Sequence, residues 1–414
     1  MGKYKLQTLD TMEYIEDNYT LKHTDDALVR AEYETAYTVQ HEQKGVWKFS
    51  KWLPTSQPSA QFAGTKTYKA TELGRKLGLE NLWVAFHGYW PEKGGLCPTG
   101  TFKDMEAVPT LQRLKDHNCK GVICASAGNT ARAFTHFCAL EGFPLIIIIS
   151  EAQSHRVWLR KEIDSSSVKL IVIEDGTYQD AKEISKLIAK ELPGWQLEGG
   201  AHNIARRDGI GTLILESYNE IGTMPDYYFQ GGSGGPGPIG VFEMMKRVRD
   251  SGEYDGNYTK IFLSQNLEHS PIHNAWQDGR DYITDDDLPS ERKSVYSDYL
   301  LNESPSYQIT GGVFDILKAT DGDTAVVTKE EALDAKAIFE QIEGIDIMSP
   351  AAVALASIIK AKEDSKIKSD DIILLNVSGA GVDRMKEDFE TKNVDPWIKT
   401  RKENILEELM KKLS

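Results

Sequence analysis

Residues 121–150 read GVICASAGNTARAFTHFCALEGFPLIIIIS, in which two short apolar runs flank a segment with helical period. Runs such as GVICA and LIIIIS are typical of strands buried on both faces of a sheet. The segment TARAFTHFCALEG between them carries its apolar residues on one face of a helix. The stretch therefore predicts a strand, a crossover helix and a second, parallel strand.

The same alternation continues on both sides of this stretch. FPLIIIIS is followed by a predicted helix near HRVWLRKEI, and the strand VKLIVIED by the helix TYQDAKEISKLIAKEL. NLWVAFHGYW, DYYFQ, KIFLSQN and DIILLNVSGAG are predicted strands of a second unit. Repeated units of this kind predict an α/β fold with two open domains. The predicted parts are an N-terminal extension over 1–55, a large domain over 56–103 and 196–395, a small domain over 104–195, and a C-terminal amphipathic helix over 396–414.

The composition excludes several classes of protein. Lys and Arg total 48 against 63 Asp and Glu, a formal net charge of −15, which argues against a protein that coats nucleic acid or an anionic membrane. The apolar run at 143–149 is too short to span a bilayer. No targeting signal is visible at the N-terminus, so we expect a cytoplasmic protein with small-molecule or protein partners.

The four cysteines are predicted to be reduced thiols. They form no C-x-x-C pair and have no zinc-type spacing with histidine, so no metal is expected. They are Cys97, Cys119, Cys124 and Cys138.

Three loops carry the candidate chemistry, each at the strand-to-helix position where open α/β sheets bind ligands. The first is PTGTFKD, in which Lys103 precedes the predicted helix DMEAVPTLQRLK. Partial desolvation of this amine would lower its pKa and make it a nucleophile toward carbonyl groups, for example an aldehyde cofactor. The alternative is a surface lysine at the start of a helix.

The second loop is SAGNT, from Ser126 to Thr130, directly after the strand GVICA. Backbone amides at a helix N-terminus bind a carboxylate, and Asn129 is able to donate to a phenolic oxygen. The alternative is a plain turn in which Ser126 caps the helix.

The third loop is GGSGGPGPIG, from Gly231 to Gly240. Its unshielded backbone N–H groups would converge on a phosphate at the start of a helix. Gly232, Gly234 and Gly237 also form G-x-G-x-x-G, but KIFLSQN does not carry the acidic residue that a dinucleotide site expects. A phosphate monoester therefore fits this loop better.

Together with LNVSGAG, these loops resemble those of the fold-type II pyridoxal-phosphate (PLP) enzymes, which include threonine synthase and cysteine synthase. The resemblance covers about residues 50–390. It implies that Lys103 forms the Schiff base with PLP, that Asn129 hydrogen-bonds the ring oxygen, and that Ser378 faces the pyridine nitrogen. It also implies a homo-oligomer, since relatives of this fold are often dimers or larger.

The resemblance assigns the two remaining loops as well. The substrate carboxylate would lie on the SAGNT loop, at Ser126, Gly128 and Thr130. The cofactor phosphate would lie on the glycine loop, at Ser233, Gly234, Gly235 and Gly237.

Strings over most of the chain, among them GYWPEKGG, EGGAHNIARRDGIGT and EEALDAKAIFEQIEGIDI, are similar to the cysteate synthases within this family. This narrower resemblance implies β-replacement on O-phospho-L-serine through an aminoacrylate, with sulfite giving L-cysteate and phosphate. One alternative is threonine synthase, or β-replacement with an amine or another nucleophile. The alternative from another class is a non-catalytic or NAD-binding α/β protein, for which G-x-G-x-x-G is the only support.

Two anions in succession require positive charge, and His202, Arg206 and Arg207 are its predicted source. The alternative is a structural ion pair between one of these arginines and Asp208. Threonine synthase-like proteins often carry N-terminal cysteines of a zinc-knuckle type, and this chain has none there, so no zinc is expected.

The glycine loop departs from the family pattern in one further respect. Pro236 and Pro238 stand where Thr and Gly are expected. This departure leaves open which atoms of the loop contact the cofactor phosphate, and leaves room for a different nucleophile.

Overall fold

The computed structural model describes residues 4–126, 128–289 and 295–413. Within these residues it contains sixteen strands and twelve α-helices. The strands are β1 Tyr4–Thr8, β2 Tyr14–Ile15, β3 Val29–Tyr33, β4 Lys66–Lys69, β5 Asn81–Gly88, β6 Gly121–Ala125, β7 Leu145–Ser150, β8 Trp158–Arg160, β9 Val168–Ile173, β10 Trp195–Leu197, β11 Tyr227–Gly231, β12 Lys260–Asn266, β13 Asp323–Val327, β14 Ile372–Ala380, β15 Thr391–Asn393 and β16 Pro396–Thr400.

The helices alternate with these strands along most of the chain. They are α1 Thr71–Leu77, α2 Lys103–Asp116, α3 Asn129–Glu141, α4 Tyr178–Glu191, α5 Ile204–Ile221, α6 Pro236–Asp250, α7 Pro271–Gln277, α8 Val313–Ala319, α9 Lys329–Glu343, α10 Ser349–Glu363, α11 Val382–Asp388 and α12 Ile405–Leu413.

Two open sheets form the body of the protein, which confirms the predicted α/β class. The larger sheet has the order β13-β12-β11-β14-β5-β4 and is parallel except for β4 at its edge. The smaller sheet has the order β10-β6-β7-β9-β16 and is parallel throughout. Every residue of β6 and β7 is buried, as the unbroken apolar runs predicted.

Helices α5 and α6 pack closely because glycines lie where they cross. A Cβ at Gly211 would lie 2.4 Å from the carbonyl oxygen of Gly240, and a Cβ at Gly240 would lie 2.2 Å from that of Arg207. Neither contact is possible for a side chain, so the crossing requires glycine at both positions. This contact fixes the start of α6, and with it the end of the glycine-rich loop.

The N-terminal extension contains an antiparallel sheet, β2-β1-β3. Its strand β3 is attached to helices α5 and α6, because Arg207 of α5 and Arg247 of α6 donate hydrogen bonds to the carbonyl groups of Val29 and Ala31.

The C-terminal segment differs from the prediction of a helix beginning at residue 396. Residues Pro396–Thr400 form β16, which pairs parallel with β9, and the helix α12 begins only at Ile405. Ile398 is buried because this strand completes the edge of the small sheet. The small sheet therefore includes chain from outside the predicted range 104–195, and β10 ends two residues beyond it at Leu197.

The helix predicted near HRVWLRKEI is also absent from this described part of the chain. A 3₁₀ turn covers Glu151–Arg156, and Trp158–Arg160 form β8, which pairs antiparallel with β15. In β8 the buried Leu159 lies between two half-buried neighbours, a period of two that suits a strand.

Two further observations concern membrane-spanning helices and the cysteine thiols. In the described residues, no helix is long and apolar enough to cross a membrane. The four cysteines are free thiols, and three of them, Cys97, Cys124 and Cys138, are buried.

Candidate active site

Lys103 is the first residue of α2 and lies against the end of β14. The backbone N–H of Phe102 donates to the carbonyl oxygen of Ser378 at 3.0 Å, and the hydroxyl of Thr101 donates to the same oxygen at 3.3 Å. Two positions separated by most of the chain are therefore adjacent. The two residues before Lys103 therefore contact the backbone of Ser378, another residue of the predicted site.

The amine of Lys103 is largely removed from water. Its side chain is 17% exposed, and Nζ lies 4.4 Å from the centroid of the Phe102 ring and 2.6 Å from Glu106 Oε1. Burial lowers the pKa of the Lys103 amine, and the charge of Glu106 opposes that shift. A larger share of neutral amine makes Lys103 a better nucleophile toward an aldehyde.

Glu106 joins Lys103 to Arg206, which lies on α5. Arg206 Nε donates to Glu106 Oε2 at 2.7 Å, and its two other nitrogens donate to Glu106 and Glu198. The guanidinium is thus close to the lysine, but both of its donating edges are held by carboxylates. The pKa of Glu106 stays below its ordinary value, although burial alone would raise it, because Arg206 and Lys103 stabilise the charge.

The SAGNT loop begins α3. The hydroxyl of Ser126 accepts hydrogen bonds from the N–H groups of Gly128 and Ala131, each at 3.1 Å, so it ties the loop to the first turn of α3, whose N-cap residue is Gly128. The first turn of a helix leaves its N–H groups without intrahelical acceptors, and those of Asn129 and Thr130 are the first two of α3. They are therefore suited to bind a carboxylate.

Asn129 itself has a polar atom that lacks a partner. Its amide oxygen is buried and no described residue donates to it, and its amide nitrogen has only the sulfur of Met348 at 4.0 Å. Met348 in turn donates its N–H to the carbonyl oxygen of Gly379, next to Ser378. The start of α3 and the end of β14 therefore meet at Met348.

The glycine-rich loop joins β11 to α6. Gly235 has a φ of 101°, which favours glycine, and a Cβ at Gly237 would lie 2.6 Å from Gln230 Nε2. Pro236 and Pro238 carry no N–H, so the predicted phosphate donors reduce to the backbone of Ser233, Gly234, Gly235 and Gly237. Gln230 also lies 3.2 Å from Asn376 on β14, which connects this loop to the strand that carries Ser378.

His202 and Arg207 correct the prediction of a positively charged cluster. Arg207 is fully buried, and it donates to Glu243 and to the carbonyl groups of Ala201 and Val29. Its structural partner is Glu243, since Asp208 pairs with Arg247. His202 is kept neutral near pH 7 because burial lowers its pKa to about 4, with Arg207 adding to the shift. Of the three predicted residues, the described contacts connect only Arg206 to Lys103.

Four features of this region fit PLP. Lys103 is a desolvated amine for the aldehyde, Asn129 is a buried amide without an ordinary partner, and the glycine loop presents backbone donors at a helix N-terminus for the phosphate. Ser378 offers a hydroxyl for the ring nitrogen. Such a site on two open α/β sheets defines an enzyme that anchors PLP on a lysine.

The chain belongs to the family of pyridoxal-phosphate dependent enzymes, whose family model matches residues 60–379. It is 43% identical to the cysteate synthase of Methanosarcina acetivorans, over 99% of this chain and 100% of that protein. It is 40% identical to the cysteate synthase of Methanocella arvoryzae, over 99% of each chain. The protein is therefore an enzyme, and its cofactor is PLP.

Solved structures with the same fold include maize serine racemase, with a TM-score of 0.59 and 19% identity over 84% of this chain and 92% of that chain. A fungal L-serine ammonia-lyase from Rhizomucor miehei has a TM-score of 0.60 and 14% identity, over 79% of this chain and 98% of that chain. The fold is that of the fold-type II PLP enzymes, as the loops predicted.

Sequence reasoning missed two of the charged residues around Lys103. Glu106 follows the lysine by three residues on the same helix, a spacing that places both side chains on one face and would have revealed the pair. Glu198 lies in a loop and meets Arg206 only through the folded chain, and no pattern in the sequence signals that contact.

Proposed function

We propose that the protein catalyses β-replacement on O-phospho-L-serine, with sulfite as the nucleophile, to give L-cysteate and phosphate. The observation that carries this proposal is the Lys103 amine, which is largely buried, lies 2.6 Å from Glu106 and belongs to the residue directly after Phe102, whose N–H donates to the carbonyl oxygen of Ser378. The identity of about 40% with cysteate synthases over nearly the whole chain supports this substrate pair.

The residues that would hold PLP follow from the geometry of the site. Lys103 would bind the aldehyde carbon of the cofactor, Asn129 its ring oxygen and Ser378 its ring nitrogen. The phosphate would be held by the backbone of Ser233, Gly234, Gly235 and Gly237. When bound, PLP supplies the electron sink that acidifies the Cα–H bond of an amino acid attached to it.

The chain's own groups then have distinct tasks. The substrate carboxylate binds the N–H groups of Asn129 and Thr130, while the hydroxyl of Ser126 accepts from Gly128 and Ala131 and so keeps this turn in place. The amine of Lys103 would remove the Cα proton as a general base and later return it. Glu106 lies within hydrogen-bonding distance of that amine and stabilises it while it carries the proton.

The overall reaction balances as one substitution at Cβ. The Cβ–O bond breaks and its electron pair leaves with the phosphate. The sulfur lone pair of sulfite forms the new Cβ–S bond. With O-phosphoserine and hydrogensulfite as reactants, the products are cysteate and hydrogenphosphate, and no oxidant or reductant is required.

The test is to incubate the purified PLP-loaded enzyme with O-phospho-L-serine and sulfite and to measure phosphate and cysteate. We expect both products in equal amounts. Lys103→Ala should lose the visible absorbance of the bound cofactor and both products, whereas Lys161→Ala, an exposed lysine paired with Glu390, should keep them. Release of no phosphate from O-phosphoserine by the loaded wild-type enzyme would reject the substrate.

The same assay separates the alternative nucleophiles. If phosphate is released but cysteate does not form, then an amine or thiol that yields a β-substituted alanine identifies the nucleophile instead. If O-phosphohomoserine is converted to threonine in preference to any reaction of O-phosphoserine, the enzyme is a threonine synthase.

A further inference from the structure

A cationic cavity lies beside Asn129. It has a volume of about 430 Å³, and Met348, whose sulfur is 4.0 Å from the Asn129 amide, forms part of its wall. Arg156 forms another part, and a Cβ at Gly128 would lie 2.7 Å from the Cδ of this arginine. The cavity is therefore adjacent to the loop that would hold the substrate carboxylate.

The charges that line this cavity are mostly positive. Four cationic side chains line it, against the carboxylates of Asp346 and Asp383. The carboxylate of Asp346 is used as a cap, because it accepts the N–H groups of Val382 at 2.9 Å and Asp383 at 3.3 Å at the start of α11. The four cations are Arg132, Arg156, Lys336 and Lys386. Three of these cations are already paired, Arg156 with Asp298, Lys336 with Glu340 and Lys386 with Asp383, whereas none of the described carboxylates forms an ion pair with Arg132. An anion in this cavity would therefore be held mainly by Arg132.

Arg132 has a donor that the protein leaves without an acceptor. This residue is 3% exposed, its Nε donates to the carbonyl oxygen of Thr99 at 3.0 Å, and no described residue accepts from its Nη2. Its guanidinium stacks on Trp158, with Cζ 4.9 Å from the ring centroid. A buried donor without an acceptor is costly, and a ligand oxygen at Nη2 would remove that cost.

The contrast with Arg206 and Arg207 indicates the role of this cavity. Their donors are taken up by Glu106, Glu198, Glu243 and backbone carbonyl groups, so they offer little to a ligand. We infer that the cavity binds a small inorganic oxyanion of the sulfite or phosphate class, with Arg132 as its principal ligand. This inference rests on the proposed function, in which phosphate leaves the site and sulfite enters it.

The test uses the PLP-loaded enzyme, so that the cofactor already occupies its own phosphate site. Calorimetric titrations with sulfate, phosphate and acetate separate the sources of negative charge. Sulfate replaces sulfite here because it does not add to aldehydes. The variants are Arg132→Gln and Lys336→Gln, and the matched control is Lys399→Gln, an exposed lysine outside the cavity that pairs with Glu151.

We expect sulfate and phosphate to bind the wild type and the Lys399→Gln control equally, and to bind Arg132→Gln about tenfold more weakly. Lys336→Gln should weaken both anions by a smaller factor, which separates loss of charge from any misfolding of the Arg132 variant. Sulfate stands in for the incoming sulfite, and phosphate is the departing anion. A difference between their affinities would therefore tell which of the two the cavity prefers.

Two results would overturn the inference: equal sulfate affinity in the wild type and both cavity variants, or acetate that binds as tightly as sulfate. Failure of the proposed function has a different signature. In that case the wild type releases no phosphate from O-phosphoserine, while the calorimetric comparison still decides whether the cavity holds an oxyanion.

Discussion

Glu106 is placed where one carboxylate controls two cations. It contacts Lys103 through one oxygen and Arg206 through the other, and it is fully buried. A buried carboxylate between two cations keeps both near it, so its removal should change the protonation of the lysine as well as the stability of the protein.

We predict that Glu106→Gln moves the pH dependence of cofactor binding to lower pH. Without the carboxylate, the pKa of Lys103 loses the effect that opposes its burial and should fall further below its ordinary value. The measurement is the rate at which PLP binds the cofactor-free protein between pH 6 and pH 10, because the neutral amine is the reactive form.

The control for this variant is Glu198→Gln, which removes a partner of Arg206 but has no hydrogen bond to Lys103. Because the charge of Glu198 also raises the pKa of Lys103, Glu198→Gln should move the pH profile in the same direction as Glu106→Gln but by less. An equal shift in both variants, or a shift in neither, would mean that Glu106 has only a structural role.

Asp104 provides a second prediction at the scale of one residue. Burial raises its pKa to about 7, and hydrogen bonds from Thr99 oppose that shift. The reference value of this carboxyl is 3.8, so between these two pH values the folded protein binds a proton that the unfolded chain does not. Its contribution to the free energy of unfolding is therefore full below pH 3.8 and is lost as the pH rises through about 7.

We predict that Asp104→Asn removes this loss of stability with rising pH. From pH 5 to pH 7, the wild type should lose stability relative to the variant by about 1.4 kcal/mol per pH unit at most. Urea unfolding at three pH values measures the two slopes. Asp334→Asn, at an exposed position on α9, should keep the wild-type slope, and parallel slopes for wild type and Asp104→Asn would contradict the prediction.

At the scale of elements, the strands most visible in the sequence are those in which all or nearly all residues are buried. β6 and β7 are fully buried and β9 nearly so, and their aliphatic runs made them visible. β8 and β16 have 3 and 5 residues with few buried positions, so both are too short for their burial pattern to be recognised in the sequence. β16 forms because β9 offers an unpaired sheet edge, and β8 forms because β15 lies beside it. The local sequence of neither segment indicates that such a partner is present.

The crossing of α5 and α6 gives a prediction for two elements together. Gly240→Ala would place a Cβ 2.2 Å from the carbonyl oxygen of Arg207. Because this oxygen belongs to the backbone of α5, it cannot move aside as the end of a flexible side chain could. We expect a loss of about 2 kcal/mol or more in the free energy of unfolding, despite the better helix propensity of alanine. Chemical denaturation of the cofactor-free protein measures it.

A glycine of the same region serves as the comparison. Gly232 has no positive φ, and the nearest atom to a Cβ there would be Leu263 Cβ at 3.3 Å. Gly232→Ala should therefore cost much less than Gly240→Ala. Equal stability of the two variants would show that the helices adjust their separation freely.

At the scale of the whole molecule, the site depends on contacts between distant parts of the chain. The loops around Lys103, Asn129 and Gly231–Gly240 were visible in the sequence because glycines and polar residues follow apolar strands. The contact of Glu106 with Arg206, 100 residues later, and the lining of the oxyanion cavity were not. They arise from the packing of α2 on α5 and of the loops around α3, and neither has a local signature. The predicted division of residues 1–395 into an extension and two domains, and the homo-oligomer, stay predictions.

Residues 396–413 complete and cover the small sheet, so a change in them should affect the other strands of that sheet. Ile405 and Leu409 of α12 are fully buried, and they pack in one cluster with Ile171 and Ile173 of β9 and Ile398 of β16. We predict that Leu409→Ala lowers the free energy of unfolding by about 2–5 kcal/mol, since a large buried side chain is truncated. Met410, its neighbour on the exposed face, is 47% exposed, and Met410→Ala should change stability by less than about 0.5 kcal/mol.

Hydrogen exchange should show faster opening of β9 and β16 in the Leu409→Ala variant, while β11 and β12 of the large sheet keep their protection. Equal loss of protection in both sheets would mean that the two domains unfold only together.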